Sequence, residues 1–323
     1  MKLAKGPAMK GLTDVPGILA GHASDYEGLT GCTAILCEGG AVAGADVRGS
    51  ASGTEEFELF SPLHLTERIH AVVLAGGSAF GLEAASGVRR FLEHKGVGFH
   101  LTGPPVPLVP SAILYDLGIG KSNAHPTREM GESAAAAATG KAVVEGAVGA
   151  GTGATVGKLF GMDRAMKSGL GSFTVTLPDG VLVSALAAVN AVGDVMDPAS
   201  GKIIAGARVS KDSREFANTA EQMKRGAAGA PGSPNTTLVV VATNARLTKP
   251  MANKLAQFGS VGVARAISPV WTMYDGDVVI ALSIGEKQAD VNVLGVAAAE
   301  AVARSIVRAV QLAPSLGGVP GLG

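Results

Sequence analysis

The chain has 323 residues, with 27 basic and 27 acidic side chains and so no formal net charge. A nucleic-acid or membrane-surface role needs a basic excess, and this balance argues against both. Aromatics are only 4% of the residues against 47% apolar, so the core must rest on Val, Leu, Ile and Ala.

After Met1-Lys2 the chain continues Leu3-Ala4-Lys5-Gly6-Pro7, with no apolar core of signal length. No segment reaches spanning length without a charge or several glycines, so a cytoplasmic location is expected. Residues 12–22 read as a turn and a short strand. Residues 32–37 and 41–47 are two apolar runs joined at Gly39-Gly40, which suggests a hairpin. Cys32 and Cys37, five apart, point to opposite faces of a strand and cannot pair. They read as buried small hydrophobes in a reducing compartment. Ser61-Pro62 is expected to open a short helix carrying Glu67 and Arg68.

Residues 70–77 form a buried strand, Ser78-Ala79-Phe80-Gly81 a turn, and residues 82–95 an amphipathic helix. A nucleophile elbow has glycine two before and two after its serine. Gly76 fits, but Phe80 takes the second place, so Ser78 reads rather as a helix N-cap. Residues 104–110 are proline-rich and extended. A helix is expected over residues 128–139. The run 149–158 is not a P-loop, because Thr152 stands five before Gly157 and Leu159 follows Lys158. It reads as a glycine-lined turn near an active site or subunit contact.

Strands over 172–176 and 181–189 flank the turn Leu177-Pro178-Asp179-Gly180. Asn190 ends the second strand, and a polar helical piece spans 213–225. Residues 226–234 are small and polar, a suitable scissile segment. Asn235-Thr236-Thr237 then leads into an unbroken β-branched run that needs cover on both faces. Thr248 caps a helix to about Ile267, Asp275-Gly276-Asp277 precedes a last buried strand, and residues 291–312 form a long apolar helix. Asp-Gly-Asp reads either as a turn with solvated carboxylates or as one that sets a carboxylate beside a strand mouth. The six histidines form no metal-ligand spacing, so no metal and no cofactor is expected.

Asn235-Thr236 reads as a loop-to-strand junction or as a self-cleavage site. In the second reading Thr236 becomes an N-terminal nucleophile. Its hydroxyl needs a base, and the freed α-amine, with a pKa of about 8, supplies one. Strands and helices without βα alternation suggest an α+β layered sandwich.

Four motifs then resemble the self-processing L-aminopeptidase/D-esterase and β-peptidyl aminopeptidase family. They are Leu12-Thr13-Asp14-Val15-Pro16-Gly17, residues 74–82, Val189-Asn190, and Asn235-Thr236-Thr237 with the run 240–245. The resemblance spans about residues 11–312. It implies a four-layer αββα sandwich, Ntn-hydrolase-like and related to ornithine acetyltransferase. It implies one domain over 1–323, cut into an α chain 1–235 and a β chain 236–323, assembled as a homotetramer of αβ units. The substrate implied is a small peptide, amide or ester, with neither nucleic acid nor membrane as partner. By motif, Thr236 is the nucleophile, Asn190 an oxyanion donor and Asp277 an orienting acid. Asp275 falls where the aminopeptidases carry serine. Ser111 falls where they carry the glutamate that receives a free amine, with Tyr115 nearby as a pocket residue. An acyltransferase on the same architecture, an uncut binding protein and a Ser78 esterase are the rival readings.

Overall fold

The computed structural model describes residues 10–228 and 235–323. The leader reading rested on residues outside these, and residues 229–234 of the expected scissile segment also lie outside. Nine strands form one hydrogen-bonded sheet: β1 Leu19–Asp25, β2 Thr30–Val47, β3 Gly53–Glu55, β4 Arg68–Ala75, β5 Ser111–Ile113, β6 Leu170–Thr176, β7 Leu182–Asn190, β8 Thr236–Ala245 and β9 Val278–Lys287. Their order is β3-β5-β4-β2-β9-β8-β7-β6, with β1 against β2. The helices are α1 Glu83–His94, α2 Arg128–Ala136, α3 Thr219–Lys224, α4 Lys249–Ala266 and α5 Val291–Gln311.

Residues 30–47 do not form the expected hairpin. They are one strand that slips register between Leu36 and Ala41, with Gly40 at φ +81°. The left-handed glycine bends the strand and does not reverse it. The first half of β2 pairs with β1 and most of β4, and the second half carries β9. The sheet thereby folds over itself. Ile35, Cys37 and Leu74 from one half meet Leu186, Leu238, Val240 and Ile280 from the other. The outer face of the first half, with Cys32, Ala34 and Val73, is covered by α1 and α2. The outer face of the second half, with Ala187, Val239, Val241 and Val279, is covered by α4 and α5. The result is the αββα layering. Cys32 and Cys37 lie in different layers and are free thiols.

All ten residues of β8 are buried, because its side chains alternate between two cores. Each fully buried Val, Leu or Ile contributes about 1.5–3 kcal/mol, which makes this strand the fixed reference of the fold. The 176–182 connection is the expected hairpin, with Asp179 and Gly180 at positive φ. Thr248 caps α4 by accepting from the Met251 N–H. Two expectations fail locally. Residues 61–66 are turns, the helical turn being Phe57–Phe60 upstream, and only 219–224 of the polar piece is helical. No helix among the described residues is long and apolar enough to cross a membrane.

The small run Ala43-Gly44-Ala45 lets α4 approach β2 at backbone distance. A Cβ on Gly44 would lie 2.2 Å from the Asn253 nitrogen. Gly44→Leu is therefore expected to cost at least about 1–3 kcal/mol, the usual range for over-packing an interior. A thermal melt against wild type reads this as a lowered midpoint.

Candidate active site

Three strand ends converge through register alone. Antiparallel pairing sets Thr236 opposite Asn190. Parallel pairing sets Leu238 beside Val278, and a bridge joins Asn235 to Asp275. Gly276 and Asp277 therefore lie alongside Thr236 and Thr237. Thr236 Oγ1 donates to the Asn235 carbonyl at 2.6 Å, and the same oxygen accepts the Gly276 N–H at 2.6 Å. The Asn235 N–H is held by Tyr274 O at 2.8 Å. Glycine is required at 276, since a Cβ there would sit 2.7 Å from Thr236 Oγ1 and 2.5 Å from Ala51 O. The loop at Arg48-Gly49-Ser50-Ala51 grips this turn. The Arg48 and Gly49 N–H groups donate to Asp277 O, and the Ala51 N–H donates to Asp275 O.

The two carboxylates of this turn are buried, not solvated. Asp277 Oδ1 accepts the Thr237 N–H at 2.6 Å. Burial, and then the neighbouring Asp275, push its pKa up to about 8. Asp275 Oδ2 accepts from the Thr272 N–H at 2.9 Å and the Thr272 hydroxyl at 2.7 Å. Burial raises its pKa too, against those hydrogen bonds.

Sequence reasoning passed over Lys158 as the remnant of a failed phosphate loop. It is buried, and its ammonium donates to Asn190 Oδ1 at 2.6 Å and Asn190 O at 3.1 Å. Asn190 Oδ1 also accepts the Thr155 N–H at 3.1 Å, while Nδ2 donates to Tyr115 O at 2.8 Å. Donors on one side and an acceptor on the other fix the amide's orientation. Burial brings the Lys158 pKa down to about 7, against the pull of Asp275 and Asp116. Lys167 lies behind it, its ammonium donating to Gly151 O (3.1 Å), Ala154 O (2.7 Å) and Ser168 O (2.5 Å). These bonds tie down the glycine-rich loop that presents Lys158. A lysine without a nearby acid in a run of small residues was the available signal.

Tyr115, Asp116, Thr155, Lys158 and Asn235 line a cavity of about 80 Å³. Ser111 is not among its lining residues; it is buried in β5 between β3 and β4. Asp116, also absent from the sequence reading, accepts the Gly77 N–H at 2.6 Å. A Cβ on Gly76 would lie 2.1 Å from its Oδ2, so the Gly76-Gly77 turn makes room for this carboxylate. Burial pushes the Asp116 pKa up to about 6. Ser78 is no helix cap: it opens a 3-10 turn at φ +54° and makes no capping bond.

The raised Asp277 has a direct consequence for stability. The folded chain keeps this proton up to about pH 8, whereas an unfolded aspartate loses it near pH 4. Stability attributable to Asp277 is complete below the unfolded pKa and falls as pH rises to about 8. Asp277→Asn should thus gain on wild type across that window and level off above it, as measured by urea unfolding at several pH values.

Comparison with known proteins identifies the family and the fold. Residues 10–322 match Peptidase family S58. An uncharacterized aminopeptidase of Mycobacterium tuberculosis is 38% identical, over 97% of this chain and 96% of its own. The 6-aminohexanoate-oligomer endohydrolase of Paenarthrobacter ureafaciens is 31% identical, over 84% of this chain and 74% of its own. Among solved structures, the L-aminopeptidase D-Ala-esterase/amidase of Ochrobactrum anthropi, described as a variant of the Ntn hydrolase fold, superposes with a TM-score of 0.73 at 20% identity, covering 96% of this chain and 88% of that one. A Burkholderia β-aminopeptidase superposes with a TM-score of 0.71 at 22% identity, covering 100% and 93%. The chain has the Ntn-hydrolase-like α+β fold and belongs to peptidase family S58.

Proposed function

We propose that the chain cuts itself between Asn235 and Thr236 and that Thr236 then serves as the N-terminal nucleophile of an amidohydrolase. The observation that carries this reading is the hydroxyl of Thr236 lying 2.6 Å from the carbonyl oxygen it would activate, with the Gly276 N–H on that same oxygen. In the uncut chain Thr236 Oγ attacks the Asn235 carbonyl carbon. The Gly276 N–H stabilises the oxyanion, the peptide C–N bond breaks, and the acyl group moves to oxygen. Water opens the ester, leaving a carboxylate on Asn235 and a free α-amine on Thr236.

In turnover that amine, with a reference pKa of about 8, takes the hydroxyl proton as Oγ attacks a substrate carbonyl. Asn190 Nδ2 is the oxyanion donor and Lys158 keeps its amide facing the right way. Asp275 and Asp277 fix the Thr236-Thr237 backbone and exchange protons beside it. The leaving amine receives the proton, and water releases the acyl group from Thr236.

The substrate class is a small peptide, amide or ester. Both the aminopeptidase and the oligomer endohydrolase among the relatives support amide cleavage. Ser111, which the resemblance sets where the aminopeptidases carry their amine-receiving glutamate, is outside the cavity lining and supplies no carboxylate for a free N-terminal amine. The two buried free thiols fit a cytoplasmic setting. Exposed Val261, Val293 and Val296 on α4 and α5 favour association between copies.

Denaturing intact mass tests the cut: wild type should give fragments 1–235 and 236–323, and Thr236→Ala a single chain. Gly276→Ala should slow the cut by at least about 10²-fold, as expected for a displaced oxyanion donor. A wild type that stays whole contradicts the reading. Lys158→Met should lower amide turnover by about 10²–10³ through loss of the Asn190 orientation. Steady-state rates on a p-nitroanilide, with and without an added amine acceptor, would also separate hydrolysis from acyl transfer.

A further inference from the structure

Gly118, Ile119 and Met162 line the cavity beside Asn235 and also line a wider basin of about 840 Å³, so the two spaces adjoin. That size is usual for a small-molecule site. Ile119, Leu316 and Val319 give the basin an apolar wall, packed together with Leu29. Arg208 lines it too and is only 9% exposed. Its backbone N–H donates to Arg164 O at 2.9 Å. Its guanidinium donates from Nη2 to Asp163 O at 2.7 Å and from Nη1 to Lys211 O. Both acceptors are main-chain carbonyls, which fix the head group in place and leave its charge without a counter-ion. Two of the five N–H groups are used, and the buried Nε–H has no partner. Among the described residues no carboxylate forms an ion pair with Arg208, and residues 1–9 and 229–234 contain no acidic side chain. Lys211, Asp163 and Asp212 share the basin but are exposed, where water and salt screen them. A buried charge without a partner is costly, and an arginine cannot escape that cost by losing its proton.

We propose that the basin is the outer part of the substrate site and that Arg208 is a specificity-determining residue, which receives a free carboxylate that the substrate carries away from its reacting carbonyl. The inference rests on the reading of Thr236 as the nucleophile. The substrate class is then an amide with an apolar stem, lying against Ile119, Leu316 and Val319, and an anionic end at Arg208. A planar guanidinium already held in position suits a carboxylate, since little freedom is left to lose on binding. The carboxylate can belong to the acyl part or to the leaving amine, and the choice of substrate separates the two.

The test measures kcat/KM of the processed wild type on two matched pairs. Glutaric acid mono-p-nitroanilide and its carboxamide place the difference in the acyl part. N-alanyl-4-aminobenzoate and its carboxamide place it in the leaving amine. A preference for the acid of at least about tenfold is expected in one pair, the size of one hydrogen bond to a buried charged group, and that pair identifies the side. Arg208→Gln, which keeps a donor for the two carbonyls, should bring the ratio close to one, and Arg208→Lys should retain part of it. Each ratio is taken within one preparation, so a lowered folded fraction cancels. Equal rates in both pairs, a preference for the carboxamide, no turnover of either acid by a processed wild type, or a preference that survives Arg208→Gln overturns the inference alone. A wild type that stays uncut overturns the reading of Thr236, and this inference with it.

Discussion

Everything in the site depends on strand register. Pairing of β8 with β7 on one side and β9 on the other fixes Asn190, Thr236 and the Gly276-Asp277 pair at one end of the sheet. A slip of one residue would turn Thr236 to the opposite face and exchange the two cores that β8 fills. The buried run behind Thr236 excludes such a slip, because Val239 and Val241 belong under α4 and α5 while Leu238 and Val240 belong between the sheet halves. Hydrophobic packing thus positions a polar site to which it contributes no reactive atom.

The electrostatics follow from placing that site in a dry interior. Lys158, Lys167, Asp116, Asp275 and Asp277 are all buried. Each is drawn toward neutrality by burial, the lysines downward and the carboxyls upward. Asp116, Lys158, Lys167 and Asp277, brought to between about 6 and about 8, can give or take protons near neutral pH, as general acid-base work requires. The backbone supplies the rest: glycines at 76 and 276 let Asp116 and Thr236 approach main chain that any Cβ would block.

Much of the fold was legible in the sequence where local chemistry and tertiary role coincide. The run after Thr236, the Thr248 cap, the 176–182 hairpin and the helices α1, α4 and α5 follow from periodicity and turn residues. The β2 strand was misread because Gly39-Gly40 marks a change of direction without saying how large it is. Only pairing with β9 shows a bend. The Ser61-Pro62 helix start and the Ser78 cap were local signals overridden by tertiary packing. In the site, Asn190, Thr236, Asp275 and Asp277 stand at strand ends, where sequence position determines location. Lys158 and Asp116 arrive from loops whose paths depend on glycine contacts across the fold, and no spacing rule announces them.

The proposed reacting oxygen is that of Thr236. Rapid-quench mass spectrometry during turnover of a slow ester substrate tests it most directly, with the adduct located by peptide mapping. A transient mass increase equal to the acyl group is expected on the fragment 236–323, mapped to the hydroxyl of its first residue. An adduct on Ser78, or turnover with Thr236→Ala at the wild-type rate, would contradict it.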